Sequence, residues 1–460
     1  MSQQTTNTTD VAAAAAEVAK TFSGTLLQPG AGGYDAARRV HNGCIDKRPA
    51  LIAQCIGAAD IADAVNLGRD LGLEIAVRGG GHNVGGRGTV DGGLLIDLSR
   101  MRHVQVHPQL RTADVAGGAL WGDFNREAQL FGLATTGGVV SSTGVGGLTL
   151  GGGLGWLMPK YGMALDNLIS VDMVLADGRV VRASDEDHQD LFWAVRGGGG
   201  NFGVASAFEF EMHPVGPIVT GGLVAHPISK ARDVLRLFRD LAATATDDMM
   251  LIAALLTAPD GVTKLAGLAV GHFGLPEAAA AATAPIKQFG QPVMDVIGPM
   301  PYTALNTMFD ASLPRGARNY WKSHFANQLT DTAIDTLIDG FMSAASPMSQ
   351  VLLEHFHGAA TRVTPSHTAY ALRESGFNLL FLSQWMDQAD DEACIGWART
   401  AYEAAKPHVG HRRYINYLDH DDVGDACAHA VYGSNLPRLR DVKRQYDPDN
   451  VFHVNLNIAP

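Results

Sequence analysis

The sequence predicts an α+β protein with more than one domain, and three observations lead to this fold class. First, 460 residues with 46% hydrophobic and 18% charged side chains are typical of a globular chain long enough for two or three domains. Second, the 53 glycines crowd between Gly79 and Gly203, where short strand and helix patterns alternate. Third, from about Val215 the glycines thin out and longer helical patterns alternate with apolar strands.

Short strands and single helices alternate in the glycine-rich part. The stretches "EIAVR", "GLLIDLS" and "TADVAGG" have the pattern of strands, and "IADAVNLGRDLG" and "LWGDFNREAQLFG" have that of amphipathic helices. The stretch "LISVDMVLADGRVVRAS" predicts two strands joined at Asp177–Gly178, because Asp-Gly favours a tight hairpin turn.

Longer elements follow in the second part. The stretches "ISKARDVLRLFRDLAATA" and "DEACIGWARTAYEAAK" predict helices, and "MMLIAALLTA" and "SQVLLEHFHG" predict apolar strands between them. The chain then closes with a helix, "LPRLRDVKRQYD", and the segment "NVFHVNLNIAP". These closing residues have little apolar area of their own, so we expect them to pack on another part of the protein.

Charge and cysteine content favour a small-molecule partner and argue against other classes. A net charge of -12 argues against a nucleic-acid or anionic-membrane surface, both of which need clustered Lys and Arg. The four cysteines form no C-x-x-C pair, so neither a disulfide framework nor a metal site is predicted. The start of the chain lacks the basic residues of a signal peptide, and no apolar stretch reaches membrane-spanning length. We therefore expect a cytoplasmic protein with reduced thiols.

Three glycine-rich loops are the strongest local signals. They are "RGGGHNVGG" (the first loop, Arg78–Gly86), "GGVVSSTGVGG" (the second loop, Gly137–Gly147) and "GGGGNFGV" (the third loop, Gly197–Val204). Such loops expose backbone N–H groups that can cradle phosphate, although each one alone is as typical of a turn-rich β connection. Together they predict a pyrophosphate-bearing ligand. His82 lies among glycines that leave room for a flat ring system, and a structural histidine is the alternative.

Four motifs in order carry a family resemblance. "RGGGH", "GGVVSSTGVGGLTLGGGLGWLMPKYGMALDN", "DLFWAVRGGGGNFGV" and "YDPDNVFHVNLNI" resemble the FAD-linked oxidases of the vanillyl-alcohol-oxidase superfamily. Within it the berberine-bridge-enzyme-like group fits best, in particular the bacterial 6-hydroxynicotine-oxidase-like branch. The resemblance implies a two-part PCMH-type FAD-binding domain at 34–214 and a substrate domain at 215–434 with an antiparallel sheet covered by helices. A C-terminal return to the FAD domain follows at 435–460.

The resemblance also implies how FAD is held. His82 would carry it covalently through the flavin 8α-methyl group, and the first loop would hold the pyrophosphate. Bicovalent relatives have a cysteine where this chain has Val140, so attachment through His82 only is expected. The remaining predicted FAD contacts are Arg78, Gly79, Gly80, Gly81, Asn83, Val84, Gly85, Gly137, Gly138, Thr143, Gly144, Gly146, Gly147, Asn167, Gly199, Gly200, Asn201, Val204, Asn455 and Asn457.

Candidate catalytic residues come from the second loop and the second domain. Relatives place the residue at Thr143 beside the flavin edge at which oxygen reacts, and a hydroxyl tied to a nearby carbonyl is the alternative. In "YINYLD", interpreted as a strand, Tyr414 and Asn416 share one face, and relatives often use a tyrosine of this strand as a base. A tyrosine base needs nearby positive charge, for which Arg412 or Arg413 is a source, and an aromatic packing role is the alternative.

Another strand, "EHFHG", offers a further candidate base. Its alternation places His355 and His357 on one face and Glu354 and Phe356 on the other, and His357 is the candidate taken from it. The resulting hypothesis is an oxidase that moves hydride from a secondary alcohol, an amine or a phenolic secondary metabolite to FAD, with O2 as acceptor and H2O2 as product. A dehydrogenase with another acceptor, or a flavin-bearing binding protein without turnover, are the alternatives. A nicotinamide-dependent enzyme is disfavoured because the acidic ribose partner is missing.

Overall fold

The first part of the chain forms a small mixed sheet that leads into the first loop. The computed structural model describes residues 8–460. Its first strands are β1 (Thr25–Leu27), β2 (Leu51–Gln54), β3 (Ile75–Arg78) and β4 (Leu94–Asp97), in the order β1-β2-β4-β3. The first helices are α1 (Thr8–Val18), α2 (Tyr34–Ala37) and α3 (Ala58–Asp70). Both β2 and β3 run parallel to β4, and α3 provides the crossover that a parallel arrangement needs.

An antiparallel sheet follows in the same glycine-rich part. Its chain segment contains β5 (Val104–His107), β6 (Thr112–Ala116), β7 (Leu133–Ala134), β8 (Leu168–Val174), β9 (Val180–Ser184) and β10 (Val204–Glu211). The helices here are α4 (Trp121–Ala128), α5 (Val145–Leu150), α6 (Met158–Tyr161) and α7 (Gln189–Val195). The sheet order is β5-β6-β10-β8-β9. The hairpin predicted at Asp177–Gly178 is confirmed, since β8 and β9 pair antiparallel across it.

The second part of the chain forms one large antiparallel sheet. After β11 (His213–Pro214), which pairs with β7, come β12 (Ile218–Pro227), β13 (Met249–Thr257), β14 (Lys264–His272), β15 (Met294–Asp295), β16 (Gly298–Pro301), β17 (Arg318–Ala326), β18 (Gln350–Phe356) and β19 (Gly376–Trp385). The order is β15-β12-β14-β13-β18-β19-β17, with β16 beside β12. The helices are α8 (Ala231–Ala242), α9 (Pro276–Lys287), α10 (Tyr302–Thr307), α11 (Asp331–Met342), α12 (Ala359–Arg362) and α13 (Asp391–Ala405).

Helices cover one face of this large sheet and leave the other face for a cavity. On β13, Leu251 and Leu255 pack in a buried core with Phe238 of α8, whereas the alternate residues Ile252 and Leu256 line the cavity. Side chains of a strand alternate between faces, so β13 contributes both to the helix-covered core and to the cavity lining. The predicted α+β class, with an antiparallel sheet covered by helices, is confirmed.

The C-terminal residues return to the first part through α14 (Gly424–Tyr432) and α15 (Leu436–Tyr446). Lys443 fixes this return: its buried ammonium lies 2.6 Å from Asp447 and donates to the carbonyls of Asn201 and Phe452. Leu418 also packs with the core of the antiparallel sheet. Within residues 8–460, no helix has the length and apolarity of a membrane span.

Candidate active site

A cavity of about 850 Å³ lies between the glycine-rich loops and the open face of the large sheet. This volume is near the upper end of the roughly 300–1,000 Å³ that ligand pockets span. Backbone of the three loops forms one side, which we call the loop wall. Side chains of β13, β18 and β19 form the opposite side, which we call the sheet wall.

The first loop presents a row of free donors to the cavity. Among the described residues, no acceptor receives the backbone N–H groups of Gly79 through Asn83, and all five residues line the cavity. Arg78 holds the start of the row, because its guanidinium pairs with buried Asp97 at 2.6 Å and donates to the Arg39 carbonyl. Consecutive N–H groups of this kind suit a phosphate group. The loop wall therefore fits the pyrophosphate of FAD.

Glycines bring the first two loops into backbone contact. A Cβ on Gly80 would lie 2.4 Å from the nitrogen of Gly144, so no side chain fits between the loops. Gly81 adopts a φ of 72°, a left-handed conformation that glycine accepts without strain. A Cβ on Gly137 would instead lie 2.3 Å from the Trp121 ring. The glycines of these loops thus serve protein packing as well as ligand approach.

His82 is held as a neutral imidazole at the cavity. Its Nε2 lies 2.8 Å from the Ser142 hydroxyl, and its ring stacks on His41 with centroids 3.9 Å apart. Burial, with smaller contributions from His41 and Arg315, lowers the pKa of His82 to about 3. A neutral imidazole has a free lone pair, so His82 can act as a nucleophile at physiological pH.

The second loop places Thr143 and Val140 on the loop wall. The Thr143 backbone is fixed, because its N–H donates to Val140 and its carbonyl accepts from Trp121. Its hydroxyl is bonded to no protein group of the described residues, so the alternative of a hydroxyl tied to a carbonyl is not observed. None of the chain's four cysteines lines the cavity.

The third loop meets the C-terminal return. Gly199, Gly200 and Val204 line the cavity together with Asn455, whose amide donates to the Gly200 carbonyl at 3.0 Å. Asn201 has a different role: its amide donates to Gly198 and Leu456, which ties the return to this loop. The predicted contact between the C-terminal residues and the loop wall is thus present, but Asn201 is a packing residue.

Several predicted FAD contacts lie away from the cavity: Val84, Gly85, Gly137, Asn167, Asn201 and Asn457. The Asn167 amide donates to the carbonyls of Tyr161 and Met163 and accepts from the ring of His213. Its side chain is therefore hydrogen-bonded within the protein. Gly85 packs closely on the backbone of Asp419 and His420. Asn457 is exposed and, like Gly85, lines a second cavity that adjoins the first one at Arg87, Asn455 and Leu456.

The segment predicted as a strand around Tyr414 is a short 3-10 helix, Ile415–Tyr417. The Tyr414 hydroxyl accepts from the N–H groups of Gly153 and Leu154, at 3.1 and 3.2 Å, and from the Asn416 amide at 2.8 Å. Burial raises the pKa of Tyr414 to about 12, although these donors oppose the rise. Tyr414 and Asn416 do reach the cavity together, through this turn.

The expected positive charge beside Tyr414 is absent from the described residues. Arg413 pairs with Asp422 at 2.6 Å, and the Arg412 guanidinium lies against Gly433. Neither arginine donates to the Tyr414 hydroxyl, whose three donors are Gly153, Leu154 and Asn416. Three donors converge on the Tyr414 oxygen and favour its deprotonated form, whereas burial opposes deprotonation.

The alternation predicted on β18 is correct, but the cavity lies on the face opposite His357. His355 and His357 stack with centroids 3.8 Å apart, and His357 lies near the Thr246 carbonyl, away from the cavity lining. Glu354 points to the cavity instead. It accepts from Asn378 at 2.6 Å and from the Tyr417 hydroxyl at 3.0 Å. Burial raises the pKa of Glu354. The signal for it was an acidic residue inside an otherwise apolar strand.

Comparisons with known proteins identify the family of this chain. Residues 49–184 match the family model of an FAD binding domain, and residues 413–459 match one described as berberine and berberine like. The chain is 32% identical to (R)-6-hydroxynicotine oxidase of Paenarthrobacter nicotinovorans, over 95% of this chain and 97% of that protein. The structure of 6-hydroxy-D-nicotine oxidase from Arthrobacter nicotinovorans superposes with a TM-score of 0.87 at 29% identity, covering 95% of this chain and 98% of that one.

A second solved structure is similar over almost its full length. It is a glucooligosaccharide oxidase from Acremonium strictum that has a 6-S-cysteinyl, 8α-N1-histidyl FAD. Its TM-score is 0.87 at 25% identity, covering 97% of this chain and 99% of that one. The fold, the loop wall and these matches define an FAD-dependent oxidoreductase. The chain belongs to the berberine-bridge-enzyme-like group of PCMH-type FAD oxidases.

Proposed function

We propose that this oxidoreductase carries FAD covalently on His82 alone and oxidises a small, largely apolar amine, alcohol or phenol. Dioxygen would accept the electrons and form H2O2. The observation that carries the proposal is a neutral His82 on the loop wall, next to five free N–H groups and opposite an aliphatic sheet wall.

The loop wall offers the contacts that FAD requires. The N–H groups of Gly79 through Asn83 would hold the pyrophosphate. Because glycine has no side chain, the backbone itself lines the cavity at Gly144, Gly147 and Gly199. When bound, FAD supplies the hydride acceptor, while the protein supplies position and electrostatics. The free Thr143 hydroxyl is available to hydrogen-bond an oxygen species.

Attachment at a single point follows from the second loop. The glucooligosaccharide oxidase has both a cysteinyl and a histidyl bond to its flavin. Here Val140 lines the cavity at the matching position, and all four cysteines lie elsewhere as free thiols. Free thiols also agree with a reducing cytoplasmic compartment. His82 is therefore the proposed attachment residue.

The sheet wall favours an apolar substrate. Most of its lining side chains are aliphatic, and Gln350, Glu354, Gln384 and Thr257 are the polar ones. The larger aliphatic residues are Leu352, Leu380, Leu382, Ile252 and Leu256. Each hydroxyl of a sugar buried against such side chains would lose its hydrogen bonds to water without a replacement, which costs about 1–3 kcal/mol. Relatives include both an oxidase of 6-hydroxynicotine and an oxidase of glucooligosaccharides. The aliphatic wall supports a substrate of the first kind.

Glu354 is the proposed acid-base residue of the sheet wall. Asn378 and Tyr417 fix its two carboxylate oxygens, and burial raises its pKa. A carboxylate in this position can take a proton from a hydroxyl or an ammonium group of the substrate. Tyr414 and Asn416 belong to the turn that also carries Tyr417, so this turn lies beside Glu354 at the cavity.

Acid precipitation tests the attachment directly. Wild-type protein should give a yellow pellet after washing, and His82→Ala should release its flavin under the same treatment. His107→Ala, at a histidine paired with Asp114 on β6, is the matched control and should stay yellow. A colourless wild-type pellet would contradict covalent attachment. Peroxide formed in step with oxygen uptake separates an oxidase from a dehydrogenase with another acceptor.

A further inference from the structure

We propose that the substrate is an elongated molecule whose far end carries a hydrogen-bond donor, and that Gln384 and Gln350 bind this far end. The inference rests on the proposed function and deepens it, because it adds a length and a second polar group to the substrate. Both glutamines line the cavity, from β19 and β18. Gln384 is only 1% exposed, and its side-chain oxygen has no donor among the described residues.

The neighbours of Gln384 define which end of its amide is the oxygen. An indole can only donate, and the Trp321 Nε1–H donates to the Oδ1 of Asn319 at 3.2 Å. The Asn319 amide nitrogen donates to the Ala317 carbonyl at 2.8 Å, so the Asn319 side chain has one orientation. The Gln384 atom that lies 3.2 Å from the Asn319 oxygen is therefore its nitrogen. The other end of the Gln384 amide is an acceptor without a partner.

An unpartnered acceptor at this place points to a ligand. Buried polar groups of native proteins are nearly always hydrogen-bonded, because an unmade bond is costly away from water. Among the described residues that line the cavity, no other has a buried side-chain nitrogen or oxygen without a partner. A hydroxyl, an amide N–H or an ammonium group of a ligand would supply the missing donor to Gln384. The half-buried amide of Gln350 can both donate and accept.

The register of the sheet gives the spacing of these groups. Gln350 pairs with Leu382, so Gln384, two residues further along β19, is its diagonal neighbour at roughly 7–8 Å on the same face. Glu354 lies four residues from Gln350 on β18, which separates their Cα atoms by about 13 Å. Leu352 lies between them on the same face. The sheet wall thus has an acid at one end, aliphatic residues in the middle and two amides at the other end.

The amide end is the end of the cavity that opens to solvent. Exposed Pro259 and Gly261 line the cavity just after the end of β13 that lies beside Gln350. Exposed Pro347 lines it as well and shortly precedes Gln350 in the chain. Glu354, in contrast, is only 5% exposed. We therefore expect the substrate to enter with the group to be oxidised first, and to leave its far polar group at the two amides.

Three phenols test this arrangement by their length and polarity. They are para-hexylphenol, its ω-hydroxy derivative and the shorter para-(hydroxyethyl)phenol, whose alkyl hydroxyl would lie among the leucines. Each is mixed without oxygen with wild-type or variant holoprotein, and the dissociation constant is taken from the change in flavin absorbance on binding. Gln384→Leu should weaken the ω-hydroxy derivative by about tenfold, the effect of one lost hydrogen bond. The other two phenols should change by less than about twofold.

Two further variants separate a specific contact from a general effect on the cavity. Gln350→Leu, at a less buried position, should weaken the ω-hydroxy derivative several-fold and spare para-hexylphenol. Gln189→Leu, at an exposed glutamine of α7 bonded to the Asp185 carbonyl, is the matched control and should change no affinity.

The possible failures are distinguishable. Binding of all three phenols with no dependence on Gln384 or Gln350, or equal weakening of para-hexylphenol and its ω-hydroxy derivative, would overturn the far-end contact and leave the proposed function intact. Failure of every phenol to bind to the wild-type holoprotein would contradict the apolar site of the proposed function as well as this inference.

Discussion

The two walls of the cavity present different chemical groups: one wall presents backbone groups and the other presents side chains. The loop wall is backbone: five consecutive N–H groups, glycines in close contact, and one neutral histidine. The sheet wall is formed by side chains: aliphatic residues on the open face of β13, β18 and β19, with Glu354 as its acidic group, bonded to Tyr417 of the neighbouring turn. Backbone donors suit a charged cofactor, whereas the aliphatic face suits a small apolar molecule.

This difference explains what a sequence can reveal about each wall. Backbone donors need glycine at particular positions, and glycine spacing is visible in the sequence. The sheet wall lacks such a marker, because β19 is buried along its whole length and has leucines on both faces, Leu379 towards the helices and Leu380 towards the cavity. Residues that contact helices and residues that contact a substrate therefore have the same character in the sequence.

The largest expected effect comes from the polar pair on the sheet wall. Glu354→Gln keeps the shape and the contact with Tyr417 but removes the proton acceptor. We expect flavin reduction by substrate to slow by about 10²- to 10⁴-fold, the usual range for a general base. Anaerobic stopped-flow measurement of flavin reduction gives this rate.

Two other variants complete that test. Glu374→Gln, at an exposed glutamate bonded to Asn327, should leave the rate unchanged. Tyr414→Phe should have a smaller effect than Glu354→Gln, because the Tyr414 hydroxyl has a pKa of about 12 and only accepts hydrogen bonds from the described residues. A larger loss in Tyr414→Phe would restore the tyrosine as the base.

Two neighbouring leucines sharpen the contrast between the faces of β19. Leu379 packs in the helix-covered core, and Leu380 lines the cavity. Leu379→Ala should lower the free energy of unfolding by about 2–5 kcal/mol, the range for core truncations. Leu380→Ala should cost less stability and raise KM about tenfold through lost apolar contact. Denaturant unfolding and steady-state kinetics measure both; equal destabilisation would mean that Leu380 faces a packed core.

A smaller effect is expected on the loop wall at Thr143. Thr143→Val retains the shape and removes a hydroxyl that has no partner in the described part of the chain. Reoxidation by air should change several-fold, while anaerobic reduction stays within about twofold, because a hydrogen bond lost from one half-reaction affects that half-reaction alone. Equal changes in both half-reactions would show that Thr143 supports the flavin generally.

The smallest expected effect is a response to pH. Burial lowers the pKa values of His82 and His41 to about 3 and about 4. The reactive neutral form of His82 therefore persists as pH falls, and covalent attachment should vary by less than about twofold between about pH 5 and pH 8. An exposed histidine with a pKa of about 6.5 would lose about thirtyfold at the acidic end. A loss of that size would contradict a buried, neutral His82.

The sequence predicts the loop wall well and the sheet wall poorly. The order of the motifs indicates the FAD-linked family, and the hairpin at Asp177–Gly178 follows from its turn residues. The strand assigned to Tyr414 is wrong because "YINYLD" pairs with no neighbouring strand and turns around Asn416. The choice of His357 over Glu354 fails for another reason: alternation gives the two faces of β18 but not which of them is covered by helices.

Anaerobic bleaching of the flavin tests the central claim, that the loop wall holds FAD facing an apolar substrate site. The wild-type holoprotein is mixed without oxygen with apolar secondary amines, apolar secondary alcohols, alkylphenols and glucooligosaccharides in turn. Loss of the visible flavin absorbance with one of the apolar classes, and none with the oligosaccharides, is the predicted result. Bleaching by the oligosaccharides alone would contradict the claim that the sheet wall forms a site for an apolar substrate.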